Sequence, residues 1–237
     1  MKSNEIRVSE YFYSIQGEGI TMGVPCVFVR LQGCNLLCKG KDWVCDTIPV
    51  WTKGDKWEIR DFVKEIFKRY HKYLVKGAHL CFTGGEPVIQ QDAIIEFLNI
   101  YYQKYEYLPY LEIETNGTKE FKNELLKELD LINCSPKTSN SGMKQERTIQ
   151  ADVLRQINGV HGSIFKFVIA EPEDLLEVQD IIDLLSLKEE KIVLMPAGDC
   201  RADIIKRGMM VAEMCKENNY FYCSRLQVNI WDEVTGV

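Results

Sequence analysis

The strongest constraint on the fold of this chain is a regular alternation of short apolar runs with amphipathic stretches. "CVFVRL" (26–31), "HLCF" (79–82), "YLEIE" (110–114), "LINCS" (131–135), "IFKFVI" (164–169) and "KIVLM" (191–195) read as strands. "DFVKEIFKRYHKYL" (61–74) sets Phe62, Val63, Ile66, Phe67, Tyr70, Tyr73 and Leu74 along one helical face, and Gly77 ends it. Further helical patterns cover about 89–104, 120–129, 149–158, 173–187 and 201–218. Strand followed by helix, repeated, predicts an α/β fold with a parallel sheet and right-handed crossovers. Six such units are fewer than the eight of a closed barrel, so an open, partial (β/α)6-type barrel is expected. No low-complexity tract or linker interrupts the 237 residues, so one domain over 1–237 is expected, with a cysteine-bearing loop at about 32–58.

In parallel α/β folds ligands collect at the C-terminal ends of the strands. Those ends read "QGCNLLC", "TGGEP", "TNGT", "SPK" and "PAG" after the first, second, third, fourth and sixth strands. Composition narrows the options. With 46% apolar and 27% charged residues and a net charge of −6, the chain is an ordinary globular one without a broadly basic nucleic-acid or membrane footprint. No apolar run approaches the roughly 18 residues of a spanning helix. The start, "MKSNEIRVSE", is too polar for a signal peptide, so a cytoplasmic location is expected. Nine cysteines, an odd number, in a reducing compartment argue against a disulfide framework and toward metal binding or chemistry.

Cys34, Cys38 and Cys45 have three and then six residues between them. A structural zinc site wants four nitrogen or sulfur ligands, and this loop offers no fourth. Iron–sulfur clusters are also held by thiolates, and three ligands would leave one iron open. The spacing alone leaves iron–sulfur, zinc and unligated thiols as alternatives. In "FTGGEP" (82–87) two glycines let main-chain groups come close to a ligand, and Pro87 suits the first turn of a helix. "GEGITMG" follows no clear strand and lacks a Gly-Lys-Ser/Thr ending, so it is not read as a phosphate loop. Cys26, Cys81 and Cys134 lie in strand patterns as small apolar residues. Cys200, Cys215 and Cys223 are too widely spaced to read as a second cluster, and His71, His79 and His161 follow no ligand spacing.

The cysteine loop and the glycine pair, one strand apart, resemble the radical S-adenosylmethionine superfamily. That resemblance implies a [4Fe–4S] cluster on Cys34, Cys38 and Cys45, with adenosylmethionine chelated to its open iron. It also implies cofactor contacts from Gly84, Gly85 and Glu86. More narrowly, "YSIQGEGITMGVPCVFVRLQGCN" (13–35), the Cys-Asp-Thr at 45–47, "TGGEP", "ETNGT", "NCSPK" and "RLQVNIWDEVTGV" resemble the 7-carboxy-7-deazaguanine synthase family. The family's reaction converts 6-carboxy-5,6,7,8-tetrahydropterin to 7-carboxy-7-deazaguanine with loss of ammonia, in queuosine and 7-deazapurine biosynthesis. The resemblance implies pterin contacts from Gln16, Glu18, Arg30, Thr83, Gln227 and the terminal Val237. It implies Mg²⁺ on Thr47, the adenosylmethionine carboxylate on Ser135 and Lys137, and the ribose on Glu114. A flavodoxin or ferredoxin as electron donor, and a homodimer, are implied as partners. The gap between Cys38 and Cys45 is longer than usual for the family, and Gln227 stands where a histidine is expected. Two rival readings share the cysteines: an activase that makes a glycyl radical on a partner protein, and a non-catalytic metal-binding module. The activase would not need Gln16, Glu18, Arg30 or Thr47.

Overall fold

The structure, a computed structural model, describes residues 4–41 and 43–234. Nine strands among these residues form one sheet: β1 (Glu5–Ile15), β2 (Pro25–Leu31), β3 (Asp55–Glu58), β4 (His79–Gly84), β5 (Leu111–Thr115), β6 (Leu131–Cys134), β7 (Ser163–Ile169), β8 (Ile192–Pro196) and β9 (Phe221–Tyr222). Their order is β3-β1-β2-β4-β5-β6-β7-β8-β9, so β3 and β9 are free edges and the barrel stays open. From β2 onward every pairing is parallel, while β1 runs antiparallel to both β2 and β3. The helices are α1 (Ile48–Trp51), α2 (Ile59–Leu74), α3 (Gln91–Tyr105), α4 (Asn123–Leu126), α5 (Gln145–Thr148), α6 (Ala151–Asn158), α7 (Asp174–Leu185), α8 (Arg201–Asn218) and α9 (Leu226–Trp231). None of the described helices is long and apolar enough to cross a membrane.

The six strands expected from the sequence are β2 and β4 to β8, with ends within about two residues. Three strands were not expected. β1 is corrected first: "GEGITMG" does follow a strand, because β1 leads directly into it. The segment is the connection of a β1–β2 hairpin, closed by Gln16 N donating to Val24 O (2.7 Å) and Gly23 N to Gln16 O (2.7 Å). β1 carries so many charged and polar residues because it is half-exposed beside the short edge strand β3. β3 is short and solvent-facing, so it lacks the apolar signature of central strands, and β9, only Phe221 and Tyr222, is too short to show a period.

Side chains alternate across the sheet with period two. Val27, Val29 and Leu31 of β2, Leu80 and Phe82 of β4, Ile113 of β5 and Phe165 and Phe167 of β7 share one buried core. The helices cover this outer face: α2 contributes Ile59, Phe62, Val63, Ile66 and Leu74, all buried. Its last turn closes where Gly77, at φ +96°, turns the chain into β4. The alternate residues, including Phe28, Arg30, Thr83, Glu114, Asn133 and Lys166, face inward onto a cavity. Phe97 of α3 joins the layers, its ring lying 5.7 Å from Phe62 and 5.6 Å from Phe82. Phe97→Ala should therefore cost about 3–5 kcal/mol, read as a lower urea midpoint with an unchanged denaturant slope.

Candidate active site

A cavity of about 580 Å³ lies over the inner face, at the C-terminal ends of the parallel strands. Its wall includes Gln16, Glu18, Arg30, Cys34, Cys38, Cys45, Thr47, Thr83, Gly84, Gly85, Glu114, Ser135, Lys137 and Gln227. These come from separate segments of the sequence and are the positions expected there. Two expected residues stand apart. Val237 lies outside the described residues, and Glu86 does not reach the wall.

The long gap between Cys38 and Cys45 is taken up by a small hairpin. Lys39 bridges Val44, Gly40 N donates to Trp43 O (2.9 Å), and Cys45 N donates to Cys38 O (3.1 Å). The chain therefore returns to its start, and Cys38 and Cys45 sit at the hairpin base. The hairpin packs on the turn after β6: a Cβ on Gly40 would lie 2.0 Å from Asn140 O, and one on Gly142 2.1 Å from Lys39 O. Burial raises the Cys34 thiol to about 11 and pushes Cys38 upward, although Lys137 opposes the shift at Cys38. Cys45 Sγ lies 3.1 Å from Thr47 Oγ1. No three His, Cys, Asp or Glu side chains among the described residues converge as ligands of a single ion would. Three thiols that share one cavity without meeting at a point suit a cluster in which each binds a different iron.

The glycine pair also has a packing role. At Gly84 (φ +109°) a Cβ would lie 2.5 Å from Leu31 N, and at Gly85 it would lie 1.9 Å from Gly33 O. The absence of side chains there lets the end of β4 press against the root of the cysteine loop, with Glu86 N donating to Gly33 O (2.8 Å). The carboxylate of Glu86 is fully buried. It accepts from Val88 N (3.0 Å), Thr115 Oγ1 (2.9 Å) and Asn116 N (2.7 Å). Burial pushes this carboxyl upward against those three donors. Its side chain braces β4 against the end of β5 and is not presented to a ligand.

A buried charge network closes the other side. Lys166, in the middle of β7, donates to Glu18 Oε2, and Arg225 Nε donates to Glu18 Oε1 at 3.1 Å. Gln227 Nε2 donates to the same oxygen at 2.8 Å. Burial alone would raise the Glu18 carboxyl, but Lys166 and Arg225 outweigh it and hold it well below the usual carboxylate range. Burial would likewise lower Lys166, and Glu18 reverses that. Arg225 also donates to Gly198 O (2.7 Å), Asp199 Oδ1 (3.2 Å) and Asp46, beside Cys45. Sequence reasoning missed Lys166 and Arg225. A lysine inside the apolar run "IFKFVI" was the available signal, because a strand buries such a charge only against a partner.

Gln16 is on the wall but committed. Its amide donates to Glu112 Oε2 (3.1 Å) and Glu114 Oε1 (3.2 Å), and its Oε1 accepts from Glu18 N (3.2 Å). Thr83 Oγ1 donates to Glu114 Oε2 at 2.6 Å, and Lys137 Nζ to Ser135 Oγ at 2.8 Å. Arg30 Nη1 donates to Glu10 Oε1 (2.8 Å), and its guanidinium stands 5.2 Å from the Phe12 ring.

A family described as a 4Fe-4S single cluster domain matches residues 15–158. That covers more than half the chain and includes all three loop cysteines, so the fold and the site define a cluster-binding α/β protein. The curated 7-carboxy-7-deazaguanine synthase of Pyrobaculum aerophilum is 30% identical over 98% of this chain and 97% of its own. That of Halobacterium salinarum is 29% identical, covering 95% and 90%. That of Clostridium acetobutylicum is 34% identical over 80% of each. The crystal structure of QueE from Escherichia coli matches with a TM-score of 0.70 at 22% identity, covering 94% of both chains, which shows a shared fold. The chain belongs to the 7-carboxy-7-deazaguanine synthase family.

Glu18→Ala would leave Lys166 buried without its partner, while Arg225 keeps Asp46 and Asp199, and should cost about 3–5 kcal/mol in chemical denaturation. The carboxyl is depressed below its ordinary 4.5, so its contribution is complete above that value and is lost only as pH falls toward the depressed one. The stability gap between wild type and variant should therefore stay flat from about pH 8 to about pH 5 and narrow only in stronger acid.

Proposed function

We propose that this cavity converts 6-carboxy-5,6,7,8-tetrahydropterin to 7-carboxy-7-deazaguanine with loss of ammonia. The observation that carries the reading is the assembly in one cavity of the cysteines of the 32–58 loop with Glu18, Arg30 and Thr83. The pterin reading needs this second set, and a bare cluster carrier does not.

The donor set fits the cofactors of such a reaction. Cys34, Cys38 and Cys45 would hold a [4Fe–4S] cluster, which together with adenosylmethionine supplies radical hydrogen-atom chemistry. The main chain of Gly84 and Gly85 borders the cysteine loop on the cavity wall and would serve the methionine end. Ser135 and Lys137, already hydrogen-bonded to each other, offer a cation and a hydroxyl to its carboxylate. Glu114 would accept from the ribose.

The remaining residues bind and orient the pterin. Arg30 is held by Glu10 and Phe12, which leaves the rest of its guanidinium fork for the pterin carboxylate. Thr47, whose hydroxyl lies 3.1 Å from the Cys45 sulfur, would offer that hydroxyl to Mg²⁺, which would supply a positive charge for a substrate oxygen. Glu18 stays ionised under Lys166 and Arg225 and so accepts hydrogen bonds from the N–H groups of a pterin. Gln227 can still accept at Oε1, which is buried and has no partner among the described residues. Thr83 and the terminal Val237 complete the binding set. An electron donor of the flavodoxin or ferredoxin kind, a homodimeric assembly and a cytoplasmic location belong to the same reading.

Anaerobically reconstituted protein with adenosylmethionine, dithionite, Mg²⁺ and the pterin should make many equivalents of 7-carboxy-7-deazaguanine without proportionate loss of adenosylmethionine. Formation of 5′-deoxyadenosine without that product would refute the pterin substrate and favour an activase. Ala in place of Cys34, Cys38 or Cys45 should abolish both the iron absorbance near 400 nm and all turnover. Full iron retention in any one of them would remove that cysteine from the ligand set. Arg30→Ala should raise KM for the pterin at least tenfold, since a charge-assisted hydrogen bond contributes about 1.5–3 kcal/mol.

A further inference from the structure

Asn133 is the least explained side chain in the cavity. It is 1% exposed, and neither its amide nitrogen nor its oxygen has a hydrogen-bond partner among the described residues. Such groups are rare, because a buried amide left unpaired forfeits its hydration without return. The other wall amides are engaged. Gln16 bonds at both ends, and Asn116 donates to Asn35 Oδ1 (3.1 Å) and accepts from Thr118 N (3.0 Å). Gln227 is bonded through its nitrogen.

The position of Asn133 is well defined. In β6 it is the register partner of Glu114 in β5, so it points to the inner face with Thr83, Glu114 and Lys166. Glu114 is already satisfied by Thr83 and Gln16. Over the Asn133 amide lies Gly19, at φ +74°, where a Cβ would stand 2.7 Å from Nδ2. A glycine at this point lets the Gln16–Gly19 turn pass close above an amide that it does not hydrogen-bond.

We infer that Asn133 reads the cyclic-amide edge of the pterin ring, its Nδ2 donating to the ring carbonyl and its Oδ1 accepting from the adjacent ring N–H. A planar amide with both ends free matches that donor–acceptor edge, as asparagine does on a purine. This assignment rests on the pterin reading and makes Asn133 a specificity-determining residue. It takes the heterocycle-reading role that the sequence placed on Gln16, whose amide is spent on Glu112 and Glu114.

The test uses reconstituted enzyme with adenosylmethionine and Mg²⁺ but no reductant, so that binding is measured without turnover. Wild type should bind 6-carboxytetrahydropterin about tenfold or more tightly than the analogue with hydrogen in place of its ring carbonyl. Asn133→Leu, of similar volume, should lose that preference and weaken pterin binding about tenfold. Its iron content and adenosylmethionine affinity should not change. Without the pterin, the variant should melt at or above the wild-type temperature, because it removes an unpaired polar group. A structural role for Asn133 predicts the opposite shift. Asn133→Ala should show the same loss of preference and covers the case in which leucine does not fold. An unchanged preference in the variants, or a loss confined to adenosylmethionine binding, overturns the assignment. Failure of wild type to bind the pterin at all overturns the substrate reading itself.

Discussion

Lys166 sits in the middle of a buried strand, and that cation is tolerable only because Glu18 reaches it. The pairing organises much of the molecule. Glu18 lies in the connection between β1 and β2, so the N-terminal hairpin must fold against the inner face of β7. Arg225 then adds a second cation to the same carboxylate and carries the contact on to Asp46 in the cysteine loop and Asp199 after β8. One ion network thus ties the two ends of the described chain and the cysteine loop to a sheet whose inner face would otherwise hold uncompensated charge.

The cysteine loop depends on a second constraint, the close approach of backbones. Gly84 and Gly85 bring the end of β4 against Gly33 and Leu31, and the buried carboxylate of Glu86 then fastens that junction to the start of the loop after β5. The hairpin between Cys38 and Cys45 uses Gly40 in the same way against the turn at Ser139–Ser141. Motif residues that look like ligand contacts in a sequence can therefore serve the scaffold that positions the ligands.

Much of the fold was legible. The central strands and the main helices follow from period-two and period-3.6 apolar patterns, because those strands are buried and their residues had to be apolar. β1 and β3 were not legible, since edge and half-exposed strands carry polar residues that look like loops, and β9, two aromatic residues, is too short to show a period. Most of the site was legible too. The cysteines, the glycine pair, Arg30 and the Ser135–Lys137 segment all sit at strand ends, where a parallel α/β fold builds its cavity.

By itself the sequence determined the parallel α/β architecture, the three thiols and the membership of the chain in its family, because local periodicity and short motifs encode these directly. Only the tertiary structure decided how polar groups pair across distant segments. It committed Gln16 to Glu112 and Glu114, turned Glu86 into a brace, and brought Lys166 and Arg225 onto Glu18. It also left the Asn133 amide without a partner among the described residues. The physical reason is that a hydrogen bond or ion pair depends on which atoms meet once the sheet is assembled, and no spacing along the chain records that.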